Sequence, residues 1–231
     1  MNKQHRNKEQ TNGIGAAGFG EEYWETNYAE PEIMDGIYNA RRRAFALKAL
    51  FDSEYIEVGS MIDLGFGLGH LFRHMVRTFL PYTVVGIEPS SHAFNQLTRE
   101  SLTEVESIQV SLFRMDLLSW CLAEDKVQTG PYDLGICTSV FQYLSNSEIE
   151  QAMPILAQRA KYLYFSVPVT DELRYQREEL QFHDQFAVAR TQTEYREMLG
   201  EHFTIVSNRV LESRVYFDPN TSYFSDMFYR F

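Results

Sequence analysis

Three acidic side chains follow three strand-like segments of the sequence. Asp63 ends MID, Glu88 follows TVVGI, and Asp116 follows QVSLFRM. Acids at the carboxyl ends of parallel strands face the sheet edge where open α/β folds bind ligands, and in nucleotide-binding folds one acid about 20 residues after the glycine turn binds the ribose. A carboxylate can bind a cation or accept hydrogen bonds from hydroxyl groups. The spacing of Asp63 and Glu88 therefore predicts a nucleotide-like ligand.

A glycine-rich turn follows Asp63 in the segment MIDLGFGLGHL, residues 61–71. Gly65, Gly67 and Gly69 permit a sharp turn and a close approach of the backbone to a ligand. The dinucleotide fingerprint G-x-G-x-x-G needs a third glycine where this chain has His70. The mismatch weakens an interpretation of the turn as an NAD site.

The pattern D-x-G-x-G-x-G resembles motif I of the class I S-adenosylmethionine-dependent methyltransferases. Asp116 and Leu117 resemble the family's motif III, in which the acid accepts the adenine amino group and the next backbone N–H binds the ring. The stretch YDLGICTSVFQYL resembles motif IV, beside the methyl group, but it lacks the Asn/Asp-Pro-Pro-aromatic tetrapeptide of base and glutamine N-methyltransferases. The resemblance implies S-adenosyl-L-methionine as cofactor and S-adenosyl-L-homocysteine as product.

The predicted cofactor-binding residues combine these motifs with two aromatic residues near the N-terminus. They are Asp63, Gly65, Phe66, Gly67, Gly69, Glu88, Pro89, Asp116, Leu117, Thr138, Ser139, Tyr23 and Tyr28. Two of these assignments have a second interpretation. Asp116 is also a typical N-cap residue, and the aromatic rings of Tyr23 and Tyr28 either pack in the core or contact a sulfonium cation through their π faces.

The alternation of strands and helices predicts an α/β fold: a Rossmann-like, doubly wound, seven-stranded and mostly parallel sheet with helices on both faces and an antiparallel C-terminal strand. Strand six is predicted in HFTIVSNRVLES, and the antiparallel strand in the aromatic C-terminus that contains Tyr223, Phe224, Phe228 and Phe231. A helix capped by Ser147 with Glu150 is predicted to kink or break at Pro154.

We predict one domain preceded by a short tail. Residues 1–20 are expected to be a disordered tail, as a native flap or a remnant of cloning, and residues 21–231 a single methyltransferase domain. Within it, residues 21–54 form a helical cap and residues 55–231 the cofactor-binding core. A connection at 170–190 is longer than usual and is predicted to be a lid over the substrate.

The lid contains the candidate catalytic residues. His183, next to Asp184, is the candidate base, and Tyr175 is a second candidate. A loop histidine that faces solvent is the alternative for His183. No metal site is predicted, because His70 and His74 lack a third ligand.

Composition limits the classes of function. The formal charge of −11 disfavours a nucleic-acid substrate. No apolar run is long enough to span a membrane and the polar N-terminus is unlike a signal peptide, so we expect a cytoplasmic protein without membrane contact. Cys121 and Cys137 are expected to be buried thiols. The composition does not predict an oligomeric state.

The sequence thus predicts methyl transfer by in-line displacement to an O or N atom of a small, hydrophobic or aromatic metabolite. Three alternatives stay open: a non-catalytic module that binds S-adenosylmethionine, a protein methyltransferase, and an NAD-dependent oxidoreductase. The identity of the acceptor decides whether a general base is needed.

Overall fold

A computed structural model describes residues 18–28, 35–123, 130–182 and 184–218. Three sequence predictions therefore lie outside the described residues: the tail over residues 1–17, the candidate base His183, and the strand expected in the aromatic C-terminus. Residues 18–20 lead directly into the first helix, whose first turn bonds to the carbonyl of Gly20.

Seven strands form one sheet of order β3-β2-β1-β4-β5-β7-β6. The strands are β1 Ser60–Leu64, β2 Thr83–Ile87, β3 Gln109–Phe113, β4 Tyr132–Thr138, β5 Ala160–Ser166, β6 Phe203–Ser207 and β7 Val210–Ser213. The first five are parallel, and β7 pairs antiparallel with both β5 and β6. This confirms the predicted mostly parallel sheet with an antiparallel strand.

The described antiparallel strand lies within the segment that was predicted as strand six. The predicted strand six is a hairpin, with β6 and β7 joined through a turn at Asn208 and Arg209. Arg209 has a φ of 62°, the left-handed conformation that tight hairpin turns require. The prediction of one continuous strand was wrong because the pattern of apolar residues continues through a turn that lacks glycine.

Ten α-helices are described. They are α1 Glu21–Asn27, α2 Asp35–Tyr38, α3 Ala40–Ser53, α4 His70–Phe79, α5 Ser91–Gln96, α6 Arg99–Leu102, α7 Leu117–Leu122, α8 Asn146–Arg159, α9 Thr170–Glu179 and α10 Gln192–Gly200. A 3-10 helix, Phe141–Tyr143, follows β4.

Helix α8 differs from its prediction at its N-terminal cap and at Pro154. Its capping box pairs Ser145 with Glu148, two residues before the predicted pair, and the helix continues through Pro154. Proline removes one hydrogen-bond donor from a helix, but burial of Ile149 and Met153 on one face of α8 compensates by packing.

The core lies on both faces of the sheet, because successive strand residues point to opposite sides. On β1, Met61 packs with residues of α3 and α4, whereas Ile62 and Leu64 pack with residues of α7, α8 and α10. Both cysteines are buried and form no disulfide. Burial on both faces holds the carboxyl ends of β1, β2 and β4 in a fixed arrangement, and the site is built on these ends.

Candidate active site

The glycine turn connects β1 to α4 at the carboxyl edge of the sheet. Gly65, Gly67 and Gly69 all have positive φ, at 118°, 54° and 74°. A Cβ at Gly65 would lie 2.7 Å from Cγ2 of Val140, and one at Gly67 would lie 3.3 Å from the Trp24 ring. The turn is thus confined between the end of β4 and helix α1, and side chains at these positions would be strained or would clash.

Asp63 is a buried acid near the carboxyl end of β1. Its side chain is 3% exposed, and no described residue donates a hydrogen bond to it. Burial, and then the negative charge of Glu88, raises the pKa of Asp63 well above its usual value. Because an unpaired buried charge is costly, a cation bound beside Asp63 would relieve both effects.

Glu88 spans the glycine turn from the end of β2. Its Oε2 accepts a hydrogen bond from the Gly67 N–H at 2.8 Å, and its Oε1 accepts one from the Ser90 N–H at 2.9 Å. Burial raises the pKa of Glu88, while these two backbone donors lower it. Since a carboxylate oxygen can accept a second hydrogen bond, both oxygens can still accept from a ligand diol.

Asp116 has the contacts of an N-cap at the start of α7. Its Oδ1 accepts from the Ser119 N–H at 2.8 Å, and its Oδ2 accepts from the Ser119 hydroxyl at 2.6 Å. The next residue, Leu117, is buried in the core. An N-cap carboxylate keeps lone pairs for another donor, so contact with adenine stays a prediction for this pair.

The remaining cofactor candidates lie around the same edge. Phe66 turns its ring into the core, stacked on Phe72 with centroids 6.0 Å apart, so only its backbone can face a ligand. Thr138 ends β4, and the exposed Ser139 has a φ of 55° while its N–H bonds to the Ser166 carbonyl at 2.8 Å. Pro89, which is half-buried, follows Glu88.

Aromatic side chains of the N-terminal segment lie over the glycine turn. The Trp24 indole donates a hydrogen bond to the Ser90 hydroxyl at 2.8 Å, and that hydroxyl donates to the Phe19 carbonyl at 2.7 Å. Tyr23 and Tyr28 pack against Trp24, with ring centroids 5.6 and 4.7 Å from it. Burial raises the pKa of Tyr28 to about 12, so this phenol stays neutral at physiological pH.

A hydroxyl–carboxylate network joins three distant segments. The Tyr143 hydroxyl donates to Oδ2 of Asp184 at 2.6 Å, and the hydroxyls of Tyr143 and Tyr23 lie 3.3 Å apart. Burial raises the pKa of Tyr143 well above its usual value, so the phenol remains a proton donor to Asp184. Sequence reasoning missed this pair, although Tyr143 stands in the motif IV stretch and Asp184 next to His183.

Arg190 holds the turn that carries Tyr143. The residue is 3% exposed, and its guanidinium donates to the carbonyls of Phe141 and Leu144, at 3.2 and 2.6 Å, and to the Asn146 amide oxygen at 2.8 Å. The planar fork of arginine suits several fixed acceptors at once. Sequence reasoning missed Arg190 because a single arginine after an irregular segment carries no pattern.

Of the two predicted catalytic residues, the structure describes only Tyr175, which has no recorded contact with this network. Tyr175 lies on α9 with 58% of its side chain exposed. His183 lies outside the described residues. Their catalytic assignment therefore stays a prediction. Within the described residues there is no group of three or more potential metal-ligating side chains, and no helix there is long and apolar enough to cross a membrane.

Comparison with known proteins agrees with this geometry. A family model described as "Methyltransferase domain" matches residues 61–161, from β1 to the start of β5. No curated protein sequence matches the chain significantly.

Solved structures share the fold at low identity. Magnesium protoporphyrin IX methyltransferase from Synechocystis PCC 6803, solved with S-adenosylhomocysteine, is 18% identical with a TM-score of 0.55, over 83% of this chain and 92% of that chain. The plantazolicin methyltransferase BpumL, also solved with S-adenosylhomocysteine, is 15% identical with a TM-score of 0.60, over 87% and 79%. A putative methyltransferase in complex with the Haloferax volcanii Trm112 activator is 16% identical with a TM-score of 0.54, over 79% and 77%.

The sheet order, the glycine turn and its two buried acids define a class I S-adenosylmethionine-dependent methyltransferase fold. Residues 61–161 of this chain are a methyltransferase domain. The chain thus has the methyltransferase fold, and the match over residues 61–161 agrees with the predicted class of protein.

Proposed function

We propose that this protein transfers the methyl group of S-adenosylmethionine to an O or N atom of a small, hydrophobic or aromatic molecule. One observation carries the proposal: Asp63 and Glu88 are buried acids at the ends of adjacent parallel strands, on either side of a turn with three positive-φ glycines. The first acid fits the amino group of the cofactor, and the second fits its ribose hydroxyls.

The aromatic cap, which is formed by Tyr23, Trp24 and Tyr28, supports the chemistry of a sulfonium donor. Charge is dispersed when a sulfonium transfers its methyl group, so such a reaction gains from in-line positioning and from exclusion of water more than from a charged catalyst. Rings of Tyr23, Trp24 and Tyr28 lie beside the glycine turn, where they can exclude water and contact the cation through their π faces. Tyr23 and Tyr28 are therefore kept among the proposed cofactor contacts.

Two kinds of support favour a small acceptor. Phe19, Tyr23 and Phe186 pack together beside the site, with ring centroids 5.0 to 6.2 Å apart, and an aromatic surface of this kind suits a small hydrophobic or aromatic molecule. The magnesium protoporphyrin IX and plantazolicin methyltransferases, which share the fold, are named for small-molecule substrates. The neighbour bound to Trm112 shows that proteins with this fold also bind protein partners.

Titration calorimetry with S-adenosylmethionine, S-adenosylhomocysteine and NAD tests the cofactor. We expect both adenosyl ligands to bind at micromolar levels and NAD not to bind. Glu88→Gln should weaken binding by about 10- to 100-fold, because a hydrogen bond to a charged group contributes about 1.5 to 3 kcal/mol. Glu57→Gln is the matched control, since Glu57 is an exposed acid just before β1.

The outcomes separate the alternatives. Binding of NAD instead of the adenosyl ligands would establish an oxidoreductase. Adenosyl binding without S-adenosylhomocysteine formation on any acceptor would indicate a non-catalytic module, and methylation of a protein but of no small molecule would indicate a protein methyltransferase. Failure of all three ligands to bind would contradict the assignment of the glycine turn.

A further inference from the structure

A cavity of about 210 Å³ lies between α9 and residues 184–189. Its lining includes Thr170, Leu173, Arg174, Arg177, Asp184 and Ala187. Leu173 and Arg177 are one helical turn apart and so share the face of α9 that borders the cavity. Tyr175 is not part of this lining.

A continuous series of contacts connects this cavity to the glycine turn. Trp24 lies over Gly67 and packs against Tyr23, whose hydroxyl is 3.3 Å from that of Tyr143. Tyr143 in turn donates to Asp184 in the cavity wall. The cavity is therefore connected to the glycine turn through Tyr143, which lies in the 3-10 helix that follows β4.

Asp184 is held in a defined orientation between the cavity and the aromatic cap. Its Oδ2 accepts from the Tyr143 hydroxyl at 2.6 Å, and its Oδ1 accepts from the Phe186 N–H at 3.2 Å. Each carboxylate oxygen can accept one more hydrogen bond. A ligand in the cavity can therefore donate to a carboxylate whose position is already fixed.

The charges around the cavity favour one class of acceptor. Among the side chains that line the cavity, Arg174 and Arg177 are positively charged and Asp184 is negatively charged. Arg174 forms a salt bridge with Asp171 at 2.8 Å and Arg177 forms one with Glu178 at 3.8 Å, so exposed acids on α9 offset part of both charges. Two guanidinium groups disfavour an ammonium ion and favour a neutral or anionic molecule.

We propose that this cavity binds the methyl acceptor, that the acceptor is a neutral or anionic hydroxyl compound, and that Asp184 accepts its proton. The inference rests on the proposed methyl transfer and deepens it from an O or N atom to a hydroxyl oxygen. Tyr143 is a positioning residue, because it acts on the acceptor through Asp184.

The chemical step balances with these groups. The hydroxyl proton of the acceptor passes to the Asp184 carboxylate as the hydroxyl oxygen forms a bond to the methyl carbon. The carbon–sulfur bond breaks, and its electron pair stays on sulfur, which gives neutral S-adenosylhomocysteine. Guanidinium groups near the acceptor also stabilise the negative charge that develops on its oxygen.

A matched pair of probes tests the acceptor class. 4-(Hydroxymethyl)benzoate and 4-(aminomethyl)benzoate share a ring and a carboxylate, and differ in a hydroxyl or an ammonium group; 4-hydroxybenzoate adds a phenol. Binding of each to the protein saturated with S-adenosylhomocysteine is measured by calorimetry, and S-adenosylhomocysteine formation is measured with S-adenosylmethionine. We expect a hydroxyl probe to bind and react at least 10-fold better than the amine. A better amine, or no hydroxyl probe bound at 10 mM, overturns the inference.

Substitutions then test Asp184 itself. Asp184→Asn should lower methyl transfer by about 100-fold or more, as loss of a general base does, with affinity for S-adenosylhomocysteine within 3-fold of the wild type. Asp184→Glu should restore part of the rate. Glu179→Gln, an exposed acid at the end of α9, is the control and should change neither quantity.

Two further variants separate positioning and charge. Tyr143→Phe should lower kcat by about 10-fold and leave KM for the acceptor within 3-fold of the wild-type value. The Tyr143 phenol orients Asp184 for proton transfer but does not itself bind the acceptor. Arg177→Gln should lower the ratio of hydroxyl-probe affinity to amine-probe affinity by several-fold.

The inference about Asp184 can be wrong while the proposed function is correct. If Asp184→Asn weakens S-adenosylhomocysteine binding by 10-fold or more, Asp184 belongs to the cofactor site and the inference is wrong. If the wild type does not bind S-adenosylhomocysteine at all, the proposed function itself fails. If Asp184→Asn binds S-adenosylhomocysteine and transfers methyl groups as fast as the wild type, the proposed function stands. Only the assignment of Asp184 as the base is then wrong.

Discussion

The cofactor side and the acceptor side of this protein are built in different ways. The cofactor side consists of strand ends and one backbone turn, in which Asp63, Gly65 and Gly67 are close in sequence and Glu88 follows on the adjacent strand. The acceptor side joins side chains from segments far apart in the chain: the Tyr143 hydroxyl donates to Asp184, and the hydroxyl of the proposed cofactor contact Tyr23 lies beside that of Tyr143.

This difference predicts separate functions for the two regions. The glycine turn is fixed by its backbone geometry and by a sheet that is packed on both faces. Changes on the acceptor side should therefore leave cofactor affinity nearly intact. The acceptor side depends on a few buried side chains, so single substitutions there should alter orientation and chemistry. Four variants test this separation.

The largest effect is expected from Arg190→Met. Methionine fills part of the volume but leaves the carbonyls of Phe141 and Leu144 and the amide of Asn146 without their donor. We expect a loss of about 2 to 5 kcal/mol in the free energy of unfolding, measured by urea denaturation. S-adenosylhomocysteine affinity below the denaturation midpoint should change by less than 3-fold. A larger loss of affinity would show that the two regions are coupled.

Gly65→Ala acts on the cofactor side alone. The alanine must adopt a φ near 118° with its Cβ 2.7 Å from Val140 Cγ2, or the turn must shift. Backbone strain of this kind costs about 1 to 3 kcal/mol, which corresponds to roughly 5- to 150-fold in S-adenosylhomocysteine affinity. Gly20→Ala is the matched control, because open space surrounds a Cβ at Gly20. Equal affinities for the two variants would contradict the predicted rigidity of the turn.

Asp63→Asn should weaken cofactor binding and stabilise the free protein. The pKa of Asp63 is raised in the folded state, so the folded state binds a proton more tightly than the unfolded state does. Ionisation of Asp63 therefore destabilises the fold as pH rises above the unfolded value of 3.8 and up to the raised folded value.

The thermal unfolding midpoint shows whether ionised Asp63 stabilises or destabilises the folded protein. At pH 7 to 8 the Asn variant should melt at a higher temperature than the wild type, and the difference should shrink as the pH falls towards 4. Saturating S-adenosylmethionine should reverse the order, because only the wild type gains the cofactor's cation. A variant that is less stable at every pH would show that Asp63 has a structural partner.

The smallest effect is expected from Trp24→Phe. The ring stays over Gly67, but the hydrogen bond from the indole to the Ser90 hydroxyl is lost. Because an ordinary hydrogen bond contributes about 0.5 to 1.5 kcal/mol, S-adenosylhomocysteine should dissociate about 2- to 10-fold more readily, as measured by calorimetry. Trp24→Ala, which also removes the ring, should weaken binding further if the aromatic cap encloses the cofactor.

The cofactor side could be predicted from the sequence because its signals are local. Alternating glycines after an acid have few structural interpretations, and the order of strands and helices then determines which strand ends meet. Ser90 as the cap of α5, and Thr191 with Glu194 as the capping box of α10, follow the same short-range rules.

The acceptor side could not be predicted in the same way. Tyr143 and Asp184 are 41 positions apart, and no periodic pattern connects them. Arg190 is recognisable only from the carbonyl groups that surround it. The hairpin of β6 and β7 was not predicted for a related reason. Its turn needs a left-handed residue at position 209, and the sequence has arginine there instead of the glycine or asparagine that would indicate such a turn.

The position of Trp24 gives the protein an optical reporter of its own. The chain has two tryptophans, and the second, Trp120, is fully buried in the core on the α7 and α8 side of the sheet. The emission of Trp120 is therefore insensitive to the surface of the protein. A change in tryptophan fluorescence on addition of S-adenosylhomocysteine would arise at Trp24, so arrival and departure of the cofactor can be followed in real time without a label.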